Sequence, residues 1–317
     1  MPATATTVDW SNLRQSTLGT RERRVVLPSS VATLIRALAL FPDLQSEESE
    51  PVDFQKLQSI VESDSRFHNE VERQLQFNHF DRPILPASQG PSLIDLGATD
   101  ARRILISSGL HAVKSFSKSK LINGRNFWAS NHERALFAWE VAELLHADPF
   151  LAFTAAMVQD FLLPYLTTEF FNDYLRFVET PEAEAVELAV FERKTFGWHH
   201  ARAAAGVMAS WGFPDDLTCC VLFHHGGLGL LKHHEMGRTA AAAVAVAALV
   251  PESIGQVPNG LQQLAYLHER WAQFDLLRIA QRVDQRLAHI ERRRLNHIPL
   301  LRRCRKVLSE RPRAIAH

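Results

Sequence analysis

Cysteine is scarce: three in 317 residues, two of them adjacent at Cys219 and Cys220. A neighbouring pair and one outlier cannot build a disulfide framework, so the cross-linked secreted class is excluded and buried reduced thiols are expected. Net charge is also missing, with 35 Lys and Arg against 35 Asp and Glu. The molecule as a whole then has no pull toward nucleic acid or anionic lipid, and any such pull must come from a local cluster. Long apolar runs are absent as well. The uncharged stretch Ala240–Val250 is about half the ~20 residues a bilayer requires. The start, MPATATTVDWSNLRQ, lacks the basic and apolar segments of a signal peptide. A cytoplasmic protein without a membrane partner is expected. Persistent two-residue alternation is missing too, which removes β architectures. There is no GxSxG elbow and no CxxC, and Gly226-Gly227-Leu228-Gly229 follows a helical pattern without the lysine and serine of a phosphate loop.

What is present is helical periodicity. Asp53 caps a helix with Phe54, Leu57, Ile60 and Val61 inward, and Asp64 opens another with Phe67, Val71 and Leu75 inward. A short helix, Leu93 to Leu96, leads through Gly97 into Ala101–Leu110. From Asn126 the helices become apolar on most of their circumference (His132–Leu145, Phe150–Asp160), as expected in the middle of a bundle. A charged helix spans Pro181 to Lys194, and two amphipathic ones cover Leu261–Gln273 and Leu276–Arg294. The expected fold is all-α, a multi-helix bundle. It divides into an arm (1–24), an N-terminal helical subdomain (25–125), a helical core (126–258) and C-terminal amphipathic helices with a basic end (259–317).

The most informative stretch is Thr195–His225. His200, Ala204, Val207 and Trp211 fall on one helical face, Gly212 and Pro214 break the helix, and Asp215 or Asp216 caps the next. Leu217, Val221 and His224 repeat the spacing, which points His224 inward before Gly226 and Gly227 stop the helix. Metal-assisted phosphoester hydrolysis needs imidazoles and carboxylates converging on one or two cations. His132, Asp160, His200, His224 and His225, drawn from four helices, are the candidate metal ligands. The plainer alternative makes each histidine a hydrogen-bonded core residue. No cofactor is expected, with a divalent Fe, Mn, Zn or Mg ion as the alternative. His233-His234 could join His224-His225 across the glycine loop, but an exposed histidine-rich loop is the commoner arrangement.

The ordered series Trp128, His132, Ala155-Ala156-Met157-Val158-Gln159-Asp160, Gly197, His200, Trp211, Pro214 and His224-His225 resembles the HD superfamily, and more closely its HDOD branch. Leu27-Pro28, Asp64, Leu75–Phe80, Leu96-Gly97 and Arg102-Arg103-Ile104-Leu105 extend the likeness, which covers about Pro28 to Val250. The resemblance implies an HD/HDOD-type helical bundle and a regulatory, signal-transducing role without hydrolysis. Departures from the catalytic HD pattern point the same way. Gln159 stands where the histidine of the histidine–aspartate doublet would be, and Ala240–Val250 supplies no downstream aspartate. Phe161-Leu162-Leu163-Pro164 lacks the glycine loop and lysine of the HD-GYP branch.

Between Glu291 and Arg313 nine basic residues face two acidic ones, but no aromatic interleaves them. A solvated helix face, with Ile298, Leu300, Leu301 and Val307 packed on the bundle, is the expectation, and this stretch is the single hint of a nucleic-acid partner. The function expected is a non-catalytic regulatory protein acting through a signalling protein partner, or a small ligand beside His224. The alternative is a degenerate metal-dependent phosphohydrolase acting on a nucleotide or cyclic dinucleotide.

Overall fold

A computed structural model describes residues 8–12, 14, 33–34, 36–37, 52–77, 92–113, 119–180, 185–210, 213–252, 254–288 and 298–310. Among these residues there are helices and no strands, so the chain is all-α. It divides into two compact units. One comprises Glu22–Lys118 with Val207–Phe213; the other comprises Met1–Arg21, Ser119–Gly206 and Pro214–His317.

In the first unit, helices α1 (Phe54–Glu62), α2 (Ser65–Phe77) and α3 (Leu93–Val113) pack on one another. The Asp53 carboxylate accepts the Lys56 amide at 3.0 Å, and Asp64 accepts the amides of Arg66 and Phe67 at 3.0 Å. Each satisfies a donor that the first helical turn leaves without an internal partner. The expected inward faces are buried: Leu57 and Val61 on α1, and Phe67, Val71 and Leu75 on α2. Gly97 interrupts α3 at φ 77, a left-handed conformation open to glycine at little cost.

The second unit carries the site. Its spine is α4 (Gly124–Leu145), joined by a left-handed His146 to α5 (Pro149–Val158), whose first turn the Asp148 carboxylate caps. Short helices α6 (Leu163–Glu169), α7 (Phe171–Val178) and α8 (Leu188–Phe196) follow, then α9 (His200–Ser210), which belongs to this unit as far as Gly206, and α10 (Asp215–Leu222). Helix α8 begins at Leu188, later than the expected Pro181; residues 181–184 lie outside the described set. A 3-10 segment, His224–Lys232, leads to α11 (Ala240–Ala247), every residue of which is buried. Helix α11 packs on α4, α5 and the 3-10 segment. Pro149–Glu169 is long and apolar enough by composition to cross a membrane, but most of it is buried inside the protein. Its side chains meet other helices, as in the centre of a bundle.

Helices α12 (Gly260–Arg270), α13 (Leu276–Ala288) and α14 (Leu300–Glu310) close the unit. The basic end forms α14, a third C-terminal helix beyond the two expected. Leu300 is buried, Leu301 and Val307 are half-buried, and Ile298, expected to pack inward, is 52% exposed. Arg303 reaches back to the buried Glu133 of α4 at 2.5 Å, while Arg302, Arg305 and Lys306 face solvent. Arg292, Arg293, Arg294, Arg311 and Arg313 lie outside the described residues.

Candidate functional site

Four of the five candidate ligands meet in the second unit. Asp160 lies just past the end of α5, His200 opens α9, and His224 and His225 start the 3-10 segment. Helix α10 ends two residues earlier than its periodicity suggests. Phe223, at φ −100 and ψ 7, turns the chain into the 3-10 segment, which still leaves His224 fully buried. Pro214 occupies the N-cap position of α10, with Asp215 and Asp216 in the first turn rather than at the cap. His132 lies elsewhere on α4, half-buried, its ring 5.7 Å from that of Phe153 in an edge-to-face contact. It is not in the histidine cluster formed by His200, His224 and His225. His233 and His234 stack on each other at the surface and do not join that cluster either.

Two anchors fix the imidazoles. His200 Nδ1 lies 2.7 Å from the Glu192 carboxylate, which also accepts the His200 amide at 2.8 Å and the Tyr174 hydroxyl at 2.6 Å. His224 Nδ1 lies 2.7 Å from the Val221 carbonyl. Carboxylates and carbonyls only accept, so the proton sits on Nδ1 in both rings and Nε2 is left facing the pocket. There the two Nε2 atoms are 3.3 Å apart, and His225 Nε2 is 2.9 Å from that of His200. Asp160 Oδ1 stands 3.2 Å from His200 Nε2 and 3.4 Å from His224 Nε2, yet receives no aligned hydrogen bond despite being buried. Lone pairs gathered this closely in a dry pocket require a cation or a proton among them.

The other oxygen of Asp160 is fully engaged. Oδ2 accepts Arg134 Nη1 at 2.7 Å, Gln256 Nε2 at 2.9 Å and, more distantly, Gln159 Nε2 at 3.4 Å. Arg134 is 1% exposed and its guanidinium also donates to the carbonyls of Val250 (2.8 Å) and Ala248 (3.0 Å). Those carbonyls lie at the negative end of α11, where a cation is favoured. The backbone just past a helix that carries no charged side chain thus supplies the acceptors.

The electrostatics follow. Burial pushes the Asp160 carboxyl up, but His200, His224 and Arg134 outweigh it and hold the group well below the usual range. Burial would lower His200, yet Glu192 and Asp160 overcome it and push the ring up to about 10. Burial lowers His224 and, reinforced by its histidine neighbours, holds His225 well below the ordinary value. Without a metal the proton therefore rests on His200, bracketed by two carboxylates.

A metal fits part of this arrangement. Ligand distances of about 2.0–2.1 Å around a tetrahedral ion imply edges of roughly 3.3–3.4 Å. Four of the six donor separations run from 2.9 to 3.4 Å, and the three ring nitrogens all lie within 4.8 Å of one another. Glu192 and the Val221 carbonyl are the outer partners that histidine ligands need to hold their orientation. A second ion sharing Asp160 does not fit, because the guanidinium and two amides already take Oδ2.

Sequence reading missed four of these residues: Arg134, Glu192, Tyr174 and Gln256. Its available signal was the charge of Arg134 and Glu192 inside the otherwise apolar runs ERALFAWEVA and LAVFER. Beside the cluster opens a cavity of about 250 Å³, lined in part by Glu187, His225, Gly227, Leu249, Val257 and Gln263.

The model of the HDOD domain matches residues 44–226. No curated protein matches the sequence. Three solved structures share the fold at low identity. A Shewanella amazonensis SB2B protein, provisionally named a phosphohydrolase, aligns at TM-score 0.60 and 16% identity over 93% of this chain and 97% of its own. A Geobacter sulfurreducens HDOD domain protein of unknown function aligns at 0.57 and 15%, over 90% and 98%. A Marinobacter aquaeolei VT8 protein, provisionally named for signal transduction, aligns at 0.53 and 16%, over 88% of this chain and 64% of its own.

Proposed function

The chain belongs to the HDOD domain family, and from that premise we propose that it is a non-catalytic regulatory module of the cytoplasm. It acts by binding a signalling protein or a small ligand, not by turning a substrate over. One observation carries this reading: the Arg134 guanidinium sits on Asp160 Oδ2, held by two backbone carbonyls. A two-metal clamp on a phosphoester needs that oxygen for a second ion and an open position for the attacking water. Gln159 adds an amide where an imidazole would strengthen metal affinity. The cavity beside His225, at about 250 Å³, is smaller than the roughly 300–1,000 Å³ usual for ligand pockets. That size suits a small effector better than a cyclic dinucleotide. The three buried, unpaired cysteines accord with a reducing compartment.

The test is turnover. Purified protein, supplied with ferrous or manganous ion, is expected to leave a panel of nucleotides and cyclic dinucleotides uncleaved. Metal-dependent hydrolysis that disappears in His224→Ala would instead establish the second reading, a degenerate phosphohydrolase. Two observations favour that alternative: the three converging imidazoles, and the provisional name of the Shewanella neighbour.

A further inference from the structure

We propose that the pocket holds a single zinc-class ion, gripped by Nε2 of His200, His224 and His225 and by Oδ1 of Asp160, with the Arg134 guanidinium standing where a second ion would share Asp160. The three ring nitrogens lie within 4.8 Å of one another, and Asp160 Oδ1 is a buried acceptor with no hydrogen-bond donor aligned on it. That oxygen stands 3.2 and 3.4 Å from two imidazole nitrogens, so a cation displacing the proton they share would take all three as ligands. Three imidazoles with one carboxylate select zinc or its near neighbours over magnesium or calcium, which prefer oxygen cages.

With all four positions filled by protein, such a site is closed, and closed tetrahedral sites are structural rather than hydrolytic. The ion ties the end of α5, the start of α9 and the 3-10 segment together. That same 3-10 segment contributes His225, Gly227 and Leu228 to the wall of the small cavity. Metal occupancy thereby sets the rigidity of the wall against which an effector would sit, since metal binding and local folding are linked. The proposal rests on the same Arg134–Asp160 pair as the regulatory reading, yet the two fail separately: one bound ion with turnover sinks that reading alone, and an empty or two-ion pocket without turnover sinks this one alone.

The experiment uses the full chain, stripped with a chelator and titrated with zinc, with bound metal counted by elemental analysis. A parallel titration with cobalt reads the intense visible absorption of a four-coordinate site. The expected result is one ion per chain, a tetrahedral cobalt spectrum and a higher melting temperature in the loaded protein. His225→Ala, at a half-buried position that tolerates truncation, is expected to abolish stoichiometric binding. The isosteric Glu192→Gln is expected to weaken it about 10–100-fold through loss of ring positioning. His234→Ala, in the exposed pair, is expected to change nothing. Arg134→His combined with Gln159→His is expected to admit a second ion. No bound ion in wild type, two ions in wild type, or full occupancy in His225→Ala would each overturn the proposal. A folded double variant that still holds one ion would overturn the role given to Arg134.

Discussion

Two carboxylates in the second unit, Asp160 and Glu140, are almost equally buried at 1% and 3% exposure, yet their environments act in opposite directions. Asp160 meets a fully buried guanidinium, two amide donors and the imidazoles, and its carboxyl is held well below the ordinary range. Glu140 meets Arg282 at 2.8 Å and Arg286 at 3.4 Å, but those partners are 45% and 40% exposed. Burial therefore dominates and raises the Glu140 carboxyl, against the pull of Arg286 and Arg282, with Glu143 adding to the rise and Arg278 opposing it. The lesson is that a buried carboxylate is secured by partners that lose water with it, and much less by partners that remain in solvent. The first arrangement builds a pocket. The second docks a C-terminal helix on α4.

The sharpest way to break this contrast is Arg134→Met. It strands Asp160 without its cation, and stability is expected to fall by about 3–5 kcal/mol, read from denaturant melts. A loss no larger than that of a surface pair would erase the distinction. Tyr174→Phe tests the same region more gently. It removes the 2.6 Å donor to the charged, buried Glu192, and about 1.5–3 kcal/mol is expected to go. At the rim, Arg282→Ala leaves Arg286 in place and removes a half-exposed partner, so a loss of about 1 kcal/mol or less is expected by the same melts.

The smallest effect is a pH dependence. Because the folded Glu140 carboxyl is raised above 4.5, the folded chain holds that proton more tightly than the unfolded chain does. Stability from this group is full below 4.5 and is lost as pH rises through the folded value. Glu140→Gln, which mimics the protonated carboxyl, is therefore expected to remove part of the decline between pH 4.5 and neutrality, with little change below pH 4.5 and a small gain in stability at pH 7. A decline as steep as in wild type would contradict the assignment.

Much of the fold was legible because it is written locally. The inward faces of α1 and α2, the caps at Asp53 and Asp64 and the break at Gly97 follow from spacing and residue type alone. The inward aim of His200 and His224 was legible for the same reason, although the helix before His224 ends sooner than periodicity indicates. What was not legible depends on contacts far apart in sequence. Arg134 meets Val250, 116 residues away, and no local pattern encodes that. His132 and Arg134 are two residues apart on one helix and so point to different sides. Choosing the histidine by its chemistry meant choosing the side of α4 that faces Phe153, while the arginine faces Asp160. Counting basic residues near the C-terminus likewise could not reveal that Arg303 is answered by Glu133, 170 residues earlier.

The most direct measurement is anomalous diffraction from crystals grown with zinc and, separately, manganese. The account predicts one zinc peak among His200, His224, His225 and Asp160, with the Arg134 guanidinium still on Oδ2. Two peaks bridged by Asp160, with Arg134 displaced, would contradict it.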